Sequence, residues 1–83
     1  MVYFVYMLKC RTGHLYTGYT NNIDRRLTEH RKGVASSFTR SRLPVNLVYQ
    51  ERCRNRVHAM QRELEIKRMP RAKKIKICGF FVR

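Results

Sequence analysis

The distribution of apolar residues predicts an antiparallel sheet that begins with a hairpin. Residues 2 to 8 are continuously apolar and rich in aromatic and β-branched types, which predicts a central strand. A short polar turn containing Gly13 separates it from a second strand, Leu15 to Tyr19, as expected for a hairpin. Gly18 weakens this second strand, so it indicates either a bulge or a close approach of another group to the backbone. A third strand is predicted at Leu47–Val48–Tyr49.

Polar side chains mark the starts of two helices. Thr20–Asn21–Asn22 can cap a helix from about residue 22 to residue 32, which Gly33 ends. Asn55 can cap a second helix, which runs through Met69 and must end or bend before Pro70. Residues 34 to 46 are expected to form a basic surface loop, and the residues after Pro70 a short helix or a basic strand. The predicted fold is α+β, a small three-stranded antiparallel sheet flanked by two or three helices in the order β-β-α-β-α-(α).

The length of the chain limits it to one domain over residues 1 to 83, with a core near the smallest size that is stable without cross-links. Five tyrosines and four phenylalanines supply enough large apolar side chains for that core. The three cysteines, Cys10, Cys53 and Cys78, lie far apart without the paired spacing of zinc sites, so they are expected to be buried and reduced. With neither a leader nor a long apolar run, a cytoplasmic location is predicted.

The charge of the chain predicts a polyanionic partner. Nineteen Lys and Arg residues against five Asp and Glu give a formal net charge of +14 and a pI of about 10.8, which is typical of nucleic-acid-binding domains. We therefore expect DNA or RNA as the partner, with a monomer favoured. An anionic membrane surface is the weaker alternative, because the second helix needs its apolar side for the core.

One carboxylate of the second helix does not fit a purely structural role. At about 100° per residue, the apolar side chains of this helix share one arc of roughly 180°, with Glu63 in its middle. Those apolar residues are Val57, Ala59, Met60, Leu64 and Ile66. Glu65 falls on the opposite, solvated face together with His58 and Arg62. Glu63 either pairs with Lys67, four residues later, or binds a hard divalent cation.

The first helix contains a similar irregularity. His30 falls within the apolar stripe that Ile23 and Leu27 define, and Arg26 lies on its edge. Each has an ordinary explanation, a hydrogen-bonded core histidine and a solvated arginine. Their i, i+4 spacing nevertheless directs a guanidinium and an imidazole to one point.

Two tyrosines of the hairpin complete the candidate site. Tyr6 and Tyr16 lie in adjacent strands, where they could form an ordinary cross-strand aromatic pair. With the other residues they resemble the GIY-YIG nuclease family, which includes intron-encoded homing endonucleases and the N-terminal nuclease of bacterial nucleotide excision repair. Phe4-Val5-Tyr6 and Tyr16-Thr17-Gly18 stand at the two motif triplets, with Phe4 in place of the first glycine and Thr17 in place of isoleucine. The resemblance covers nearly the whole chain and is closest to the small stand-alone bacterial members.

The resemblance implies an endonuclease that hydrolyses DNA phosphodiester bonds, structure-dependent or non-specific, with one Mg²⁺ or Mn²⁺. The implied catalytic residues are Tyr6, Tyr16, Arg26, His30 and Glu63, with Glu63 as the metal ligand. Tyr16 could be the general base only if Arg26 or a bound cation favours its phenolate. Tyr6 would then orient water or substrate, and His30 would position or deprotonate Tyr16. The resemblance leaves open which of the two tyrosines is the base. Phosphate contacts are expected from Arg40, Arg42, Lys67, Arg71, Lys73, Lys74 and Lys76. The alternative is a basic DNA- or RNA-binding module that keeps the fold but does not cut.

Overall fold

The computed structural model describes residues 2 to 79, which form a three-stranded antiparallel sheet and four helices. The strands are β1 (Tyr3–Cys10), β2 (Leu15–Thr20) and β3 (Val45–Cys53). The helices are α1 (Ile23–Arg31), α2 (Ser37–Arg40), α3 (Arg56–Lys67) and α4 (Arg71–Ile77). The predicted α+β class and antiparallel sheet are confirmed. The element order is β-β-α-α-β-α-α, because a short helix that was not predicted, α2, interrupts the expected loop.

The strand order is β2-β1-β3, so β1 is central and β2 is an edge strand. Helices cover both faces of the sheet. On one face Val5 and Met7 pack with Ala59 and Ile66 of α3. On the other face Leu8 packs among side chains of α1, α2 and β3. Because alternate residues of a strand face opposite sides, the edge strand β2 presents side chains to both layers.

The helix boundaries follow from their capping residues. The side chains of Asn22 and Asn55 accept hydrogen bonds from the backbone N–H groups of Arg25 and His58, which fixes the starts of α1 and α3 as predicted. The segment after Pro70 is a helix, the first of its two predicted alternatives. β3 extends beyond its predicted apolar centre because its polar positions also pair with β1.

The predicted apolar arc of α3 was wrong in part. Ala59 and Ile66 are buried, but Val57, Met60 and Leu64 are 62%, 40% and 49% exposed. The small sheet covers only a narrow strip of the helix, centred on the two buried residues.

The charged residues of α3 flank that strip. Glu63 and Arg62 lie on either side of it. Arg62 was predicted to lie on the solvated face, and this was wrong. It contacts Glu51 of β3 at 3.0 Å. Glu65 is exposed, as expected.

All three cysteines are free of disulfide bonds and buried, and their predicted burial is confirmed. No helix among residues 2 to 79 has the length and apolar content needed to cross a membrane.

Candidate active site

An open cavity of about 470 Å³ lies at the β2 edge of the sheet, between the layers that carry α1 and α3. The five residues predicted as catalytic all line it. They come from four elements: Tyr6 from β1, Tyr16 from β2, Arg26 and His30 from α1, and Glu63 from α3. The structure thus brings together side chains that are up to 57 residues apart in the sequence.

Gly18 allows Tyr6 to reach this cavity. In the sheet Gly18 lies directly opposite Tyr6. A Cβ atom at position 18 would lie 2.6 Å from the Tyr6 hydroxyl oxygen and 2.8 Å from its Cζ atom. The phenol ring therefore passes across β2 only because residue 18 has no side chain. Of the two explanations predicted for this glycine, the close approach is the one that the structure contains.

A chain of hydrogen bonds joins Tyr6 to helix α2. The Tyr6 hydroxyl lies 2.8 Å from His30 Nε2, and His30 Nδ1 lies 2.8 Å from Thr39 Oγ1. The Thr39 hydroxyl donates to the backbone carbonyl of Ser36 at 3.3 Å. Because its single hydrogen is used there, Thr39 accepts from His30 Nδ1–H. His30 Nε2 is then the acceptor, and the Tyr6 hydroxyl donates to it.

Burial and nearby charges set the titration of this pair. The pKa of Tyr6 is raised well above its ordinary value, mainly by burial and then by the neighbouring Tyr16, while Arg26 acts to lower it and Glu63 to raise it. The pKa of His30 is lowered, mainly by burial and then by the charge of Arg26. At neutral pH both groups are therefore uncharged. Arg26 and Glu63 line the same cavity as Tyr6.

The Tyr16 side chain is positioned by contacts with neighbouring aromatic rings, not by a hydrogen bond with His30. Its ring is stacked on Phe38 at 6.0 Å and contacts the His30 ring edge-on at 5.1 Å, centroid to centroid. His30 uses both ring nitrogens for Tyr6 and Thr39. His30 therefore contacts Tyr16 ring to ring and not by a hydrogen bond, because Tyr6 and Thr39 occupy its two ring nitrogens. The catalytic roles expected of His30 and Tyr16 stay predictions.

Arg26 and Glu63 bring opposite charges to the cavity. Arg26 forms an ion pair with Glu29, one turn along α1, at 3.2 Å. Glu63 forms an ion pair with Lys67 at 3.6 Å, the structural alternative considered from the sequence. The Glu63 side chain is only 16% exposed, whereas Lys67 is half-exposed. Ion pairs with such exposed partners are weak, so both Arg26 and Glu63 can engage a ligand.

The cavity offers one carboxylate, Glu63, to a hard divalent cation. Within residues 2 to 79 no group of three or more His, Cys, Asp or Glu side chains could enclose a metal ion. Mg²⁺, however, is commonly bound by one or two carboxylates, with water and substrate phosphate oxygens completing its shell. Glu63, at the wall of an open and polar cavity, fits that arrangement.

The predicted phosphate-binding residues fall into two groups. Three already make internal contacts. The Arg42 guanidinium lies 3.9 Å from the centre of the Phe38 ring, Arg71 donates to the Gly13 carbonyl at 2.9 Å, and Lys67 pairs with Glu63. The others lie on α2 and α4, where Arg40, Lys73 and Lys76 are exposed and Lys74 is half-buried.

Several residues of this region were not predicted. Thr39 lay in a segment expected to be a loop, although Ser36, which caps α2, was a usable helix signal. Tyr3, Tyr19 and Arg56 also line the cavity. No motif in the sequence identified them, because their proximity depends on the pairing of β1 with β2 and on the position of α3.

Comparisons with known proteins agree with this architecture. The sequence profile of the GIY-YIG catalytic domain matches residues 2–76. A UPF0213 protein of Natronomonas pharaonis is 49% identical over 77 residues, 93% of this chain and 91% of the relative. A UPF0213 protein of Oceanobacillus iheyensis is 44% identical over 78 residues, with 94% and 91% covered.

Two proteins solved in solution by NMR have a similar fold. The UPF0213 protein of Bacillus halodurans has a TM-score of 0.62 and 38% identity, covering 96% of this chain and 85% of that one. A protein of E. faecalis has a TM-score of 0.65 and 32% identity, covering 98% and 86%. The chain belongs to the GIY-YIG domain family and is similar along most of its length to small UPF0213 proteins.

Proposed function

We propose that the protein is a metal-dependent endonuclease that hydrolyses DNA phosphodiester bonds without sequence specificity. One observation carries this proposal. Two tyrosine rings, an arginine, a histidine and a carboxylate from four separate elements line one open cavity in a protein of net charge +14. Membership of the GIY-YIG family supports a nuclease in general.

The cation and the arginine would hold the substrate. Glu63 would bind one Mg²⁺ or Mn²⁺, which supplies Lewis-acid stabilisation of the phosphate when bound. Arg26 would donate hydrogen bonds to a non-bridging phosphate oxygen, replacing its exposed contact with Glu29. Both contacts would stabilise negative charge that increases on the phosphoryl oxygens during attack.

The direction of the hydrogen bond between Tyr6 and His30 favours Tyr6, rather than Tyr16, as the group that deprotonates water. Tyr6 donates to an unprotonated His30 nitrogen, so it can accept a proton from water while passing its own proton to Nε2. This transfer avoids a free phenolate, which burial of Tyr6 makes unfavourable. The water oxygen forms the new bond to phosphorus, and the leaving oxygen departs with the electron pair of the broken P–O bond. That oxygen is protonated by solvent at the open mouth of the cavity. His30 Nε2 then returns its proton to Tyr6, whose water-derived proton passes to solvent, so that both groups are neutral again.

Tyr16 would then have a positioning role. Its ring lies between Phe38 and His30, which fixes its hydroxyl at the cavity wall. From there it can donate a hydrogen bond to the phosphate or to the attacking water. The sequence left open which of the two tyrosines is the base, and this proposal assigns that role to Tyr6.

The test is cleavage of labelled duplex, branched and single-stranded DNA by the purified protein with Mg²⁺ or Mn²⁺. Products that form with either metal, and that a chelator prevents, support the proposal. If the protein binds DNA but cuts none of these substrates with either metal, the protein is a non-catalytic DNA-binding module. An RNA strand of the same sequence tests whether the sugar affects binding or cleavage.

A further inference from the structure

Two aromatic rings in the cavity have no part in the proposed chemistry. Tyr3 and Tyr19 line the same cavity as Tyr6 and Tyr16 but belong to the other face of the sheet. Tyr19 is paired directly with Val5, whose side chain is in the core beneath α3. The Tyr3 and Tyr19 ring centroids are 6.3 Å apart, with the planes inclined at 48°. One side of each ring packs against the core, and both side chains are only partly buried.

An exposed cation accompanies these rings. Arg56, the first residue of α3, also lines the cavity and lies beside the Tyr19 hydroxyl. Hydrogen bonding to Tyr19, followed by the charges of both phenol groups, raises the pKa of Arg56 above its ordinary value. Together Tyr3, Tyr19 and Arg56, here called the aromatic subsite, offer two ring surfaces and one guanidinium at the α3 side of the β2 edge.

This combination matches the chemistry of a single nucleotide. Aromatic side chains bind bases by stacking, largely irrespective of base identity, and arginine binds the adjoining phosphate with paired hydrogen bonds. The cavity volume of about 470 Å³ lies in the range of pockets that enclose small organic ligands, so it has room for more than a phosphate group. A base inside a regular duplex has both faces covered by its neighbours, and only an unpaired or extruded base can reach the rings.

We propose that the aromatic subsite binds an unpaired nucleobase of the DNA strand next to the phosphate being cut. The substrate class would then be DNA with an unpaired nucleotide, as in single strands, bulges and branch points. The inference rests on the proposed function for the identity of the bound strand, but base binding itself requires neither metal nor cleavage.

The test uses duplexes with one unpaired nucleotide, which fixes the binding position. Affinity is measured by fluorescence anisotropy, in chelator, for a bulged adenine, a bulged abasic site and a fully paired duplex. Since stacking is worth ~1–3 kcal/mol per base, the wild-type protein should prefer the adenine bulge over the abasic bulge by about tenfold. The abasic bulge controls for bending of the duplex, which both bulges share.

Matched variants assign the effect to the ring. Tyr19→Phe keeps the ring and should retain the preference, whereas Tyr19→Leu should bind adenine and abasic bulges equally. Tyr3→Leu gives an independent variant if Tyr19→Leu does not fold. Equal wild-type affinity for the two bulges overturns the inference, even if the protein cuts DNA. Absence of cleavage together with a preference for the adenine bulge would refute the nuclease proposal but would still support base binding at the aromatic subsite.

Discussion

The direction in which the Thr39 hydroxyl donates determines which nitrogen of His30 carries the proton. Its donation to the Ser36 carbonyl makes His30 Nδ1 a donor and Nε2 an acceptor, so the hydrogen of Tyr6 points to His30. The oxygen lone pairs of Tyr6 are thereby directed away from the histidine. Burial keeps both rings neutral, which is the state needed for a proton to pass from Tyr6 to His30.

Conservative replacement of each tyrosine should separate their roles. Tyr6→Phe removes the hydroxyl to which we assign proton transfer, and we expect the cleavage rate to fall by ~10²–10⁴-fold, the usual contribution of general acid–base catalysis. Tyr16→Phe keeps the ring that packs between Phe38 and His30, so its loss should be smaller. Single-turnover cleavage at saturating protein measures both. A larger loss of cleavage rate in Tyr16→Phe than in Tyr6→Phe would indicate that Tyr16 is the base.

The titration of His30 should respond to Arg26. Because the positive charge of Arg26 lowers the pKa of His30, Arg26→Met should raise that pKa, while burial still holds it below the ordinary 6.5. Arg25→Met removes the same charge from the neighbouring, exposed position and should leave the His30 pKa nearly unchanged. NMR titration of the His30 ring protons measures both. Equal shifts in the two variants would show that Arg26 is not directed at the histidine.

Lowering of the His30 pKa also has a consequence for stability. The unfolded chain binds a proton at His30 more readily than the native chain does. This contribution to the free energy of unfolding is therefore complete above pH ~6.5 and is lost as the pH falls below that value.

The elements contribute unequally to the site. β1 and β2 supply the tyrosines, α1 the arginine and histidine, and α3 the carboxylate. The four-residue helix α2 supplies no predicted catalytic group, yet it fixes His30 through Thr39 and supports Tyr16 through Phe38. Arg42, whose guanidinium lies over Phe38 and donates to its carbonyl, anchors this helix.

The role of α2 can be tested at Thr39, which is fully buried. Thr39→Val has nearly the same shape but leaves His30 Nδ1 without its partner, which should lower the free energy of unfolding by ~1–3 kcal/mol. The tautomer of His30 would no longer be fixed, and cleavage should decrease. Thr39→Ser retains the hydroxyl and is the matched control. Chemical denaturation and cleavage rates that are the same for the valine and serine variants would contradict the role assigned to this hydroxyl.

Local sequence patterns predicted most of the helices and strands. The exposure of α3 and the hydrogen bonds of the site depend on tertiary packing, which those patterns do not contain. The apolar run of β1, the hairpin turn and the Asn22 and Asn55 caps identified the sheet and the two long helices. The exposed face of α3 was misjudged because periodicity cannot tell how wide a strip of helix the sheet covers. Likewise, the motif residues were recognisable by type and spacing, but the Tyr6–His30–Thr39 chain depends on how α1 and α2 pack. The spacing of Tyr6 and Tyr16 gave no indication of which one forms a hydrogen bond with the histidine.

The protein as a whole combines a strongly positive net charge with an uncharged, hydrogen-bonded pair, Tyr6 and His30, in its cavity. A net charge of +14 would attract a polyanion at long range, as the proposed DNA substrate requires. The exposed lysines of α4 would not by themselves give sequence specificity, because contacts to phosphates position a strand without reading its bases.

DNA binding should therefore depend steeply on salt. If six or more phosphates are contacted, duplex affinity should fall by roughly a thousandfold between about 50 and 200 mM salt. Lys73→Gln, at an exposed position of α4, should reduce the logarithmic salt slope by about one. Arg71→Gln should in addition lower the melting temperature, because Arg71 holds the Gly13 carbonyl of the β1–β2 turn. A salt-independent affinity would rule out phosphate binding as the main source of attraction.

The most direct measurement compares two isosteric variants of helix α3. Glu63→Gln removes the carboxylate at the cavity, whereas Glu65→Gln makes the same charge change at an exposed position two residues away. With Mg²⁺ or Mn²⁺ we expect wild type and Glu65→Gln to cut DNA and Glu63→Gln to bind it with similar affinity but not cut. Cleavage by Glu63→Gln at the wild-type rate would contradict the assigned site, and no cleavage by wild type would contradict the nuclease itself.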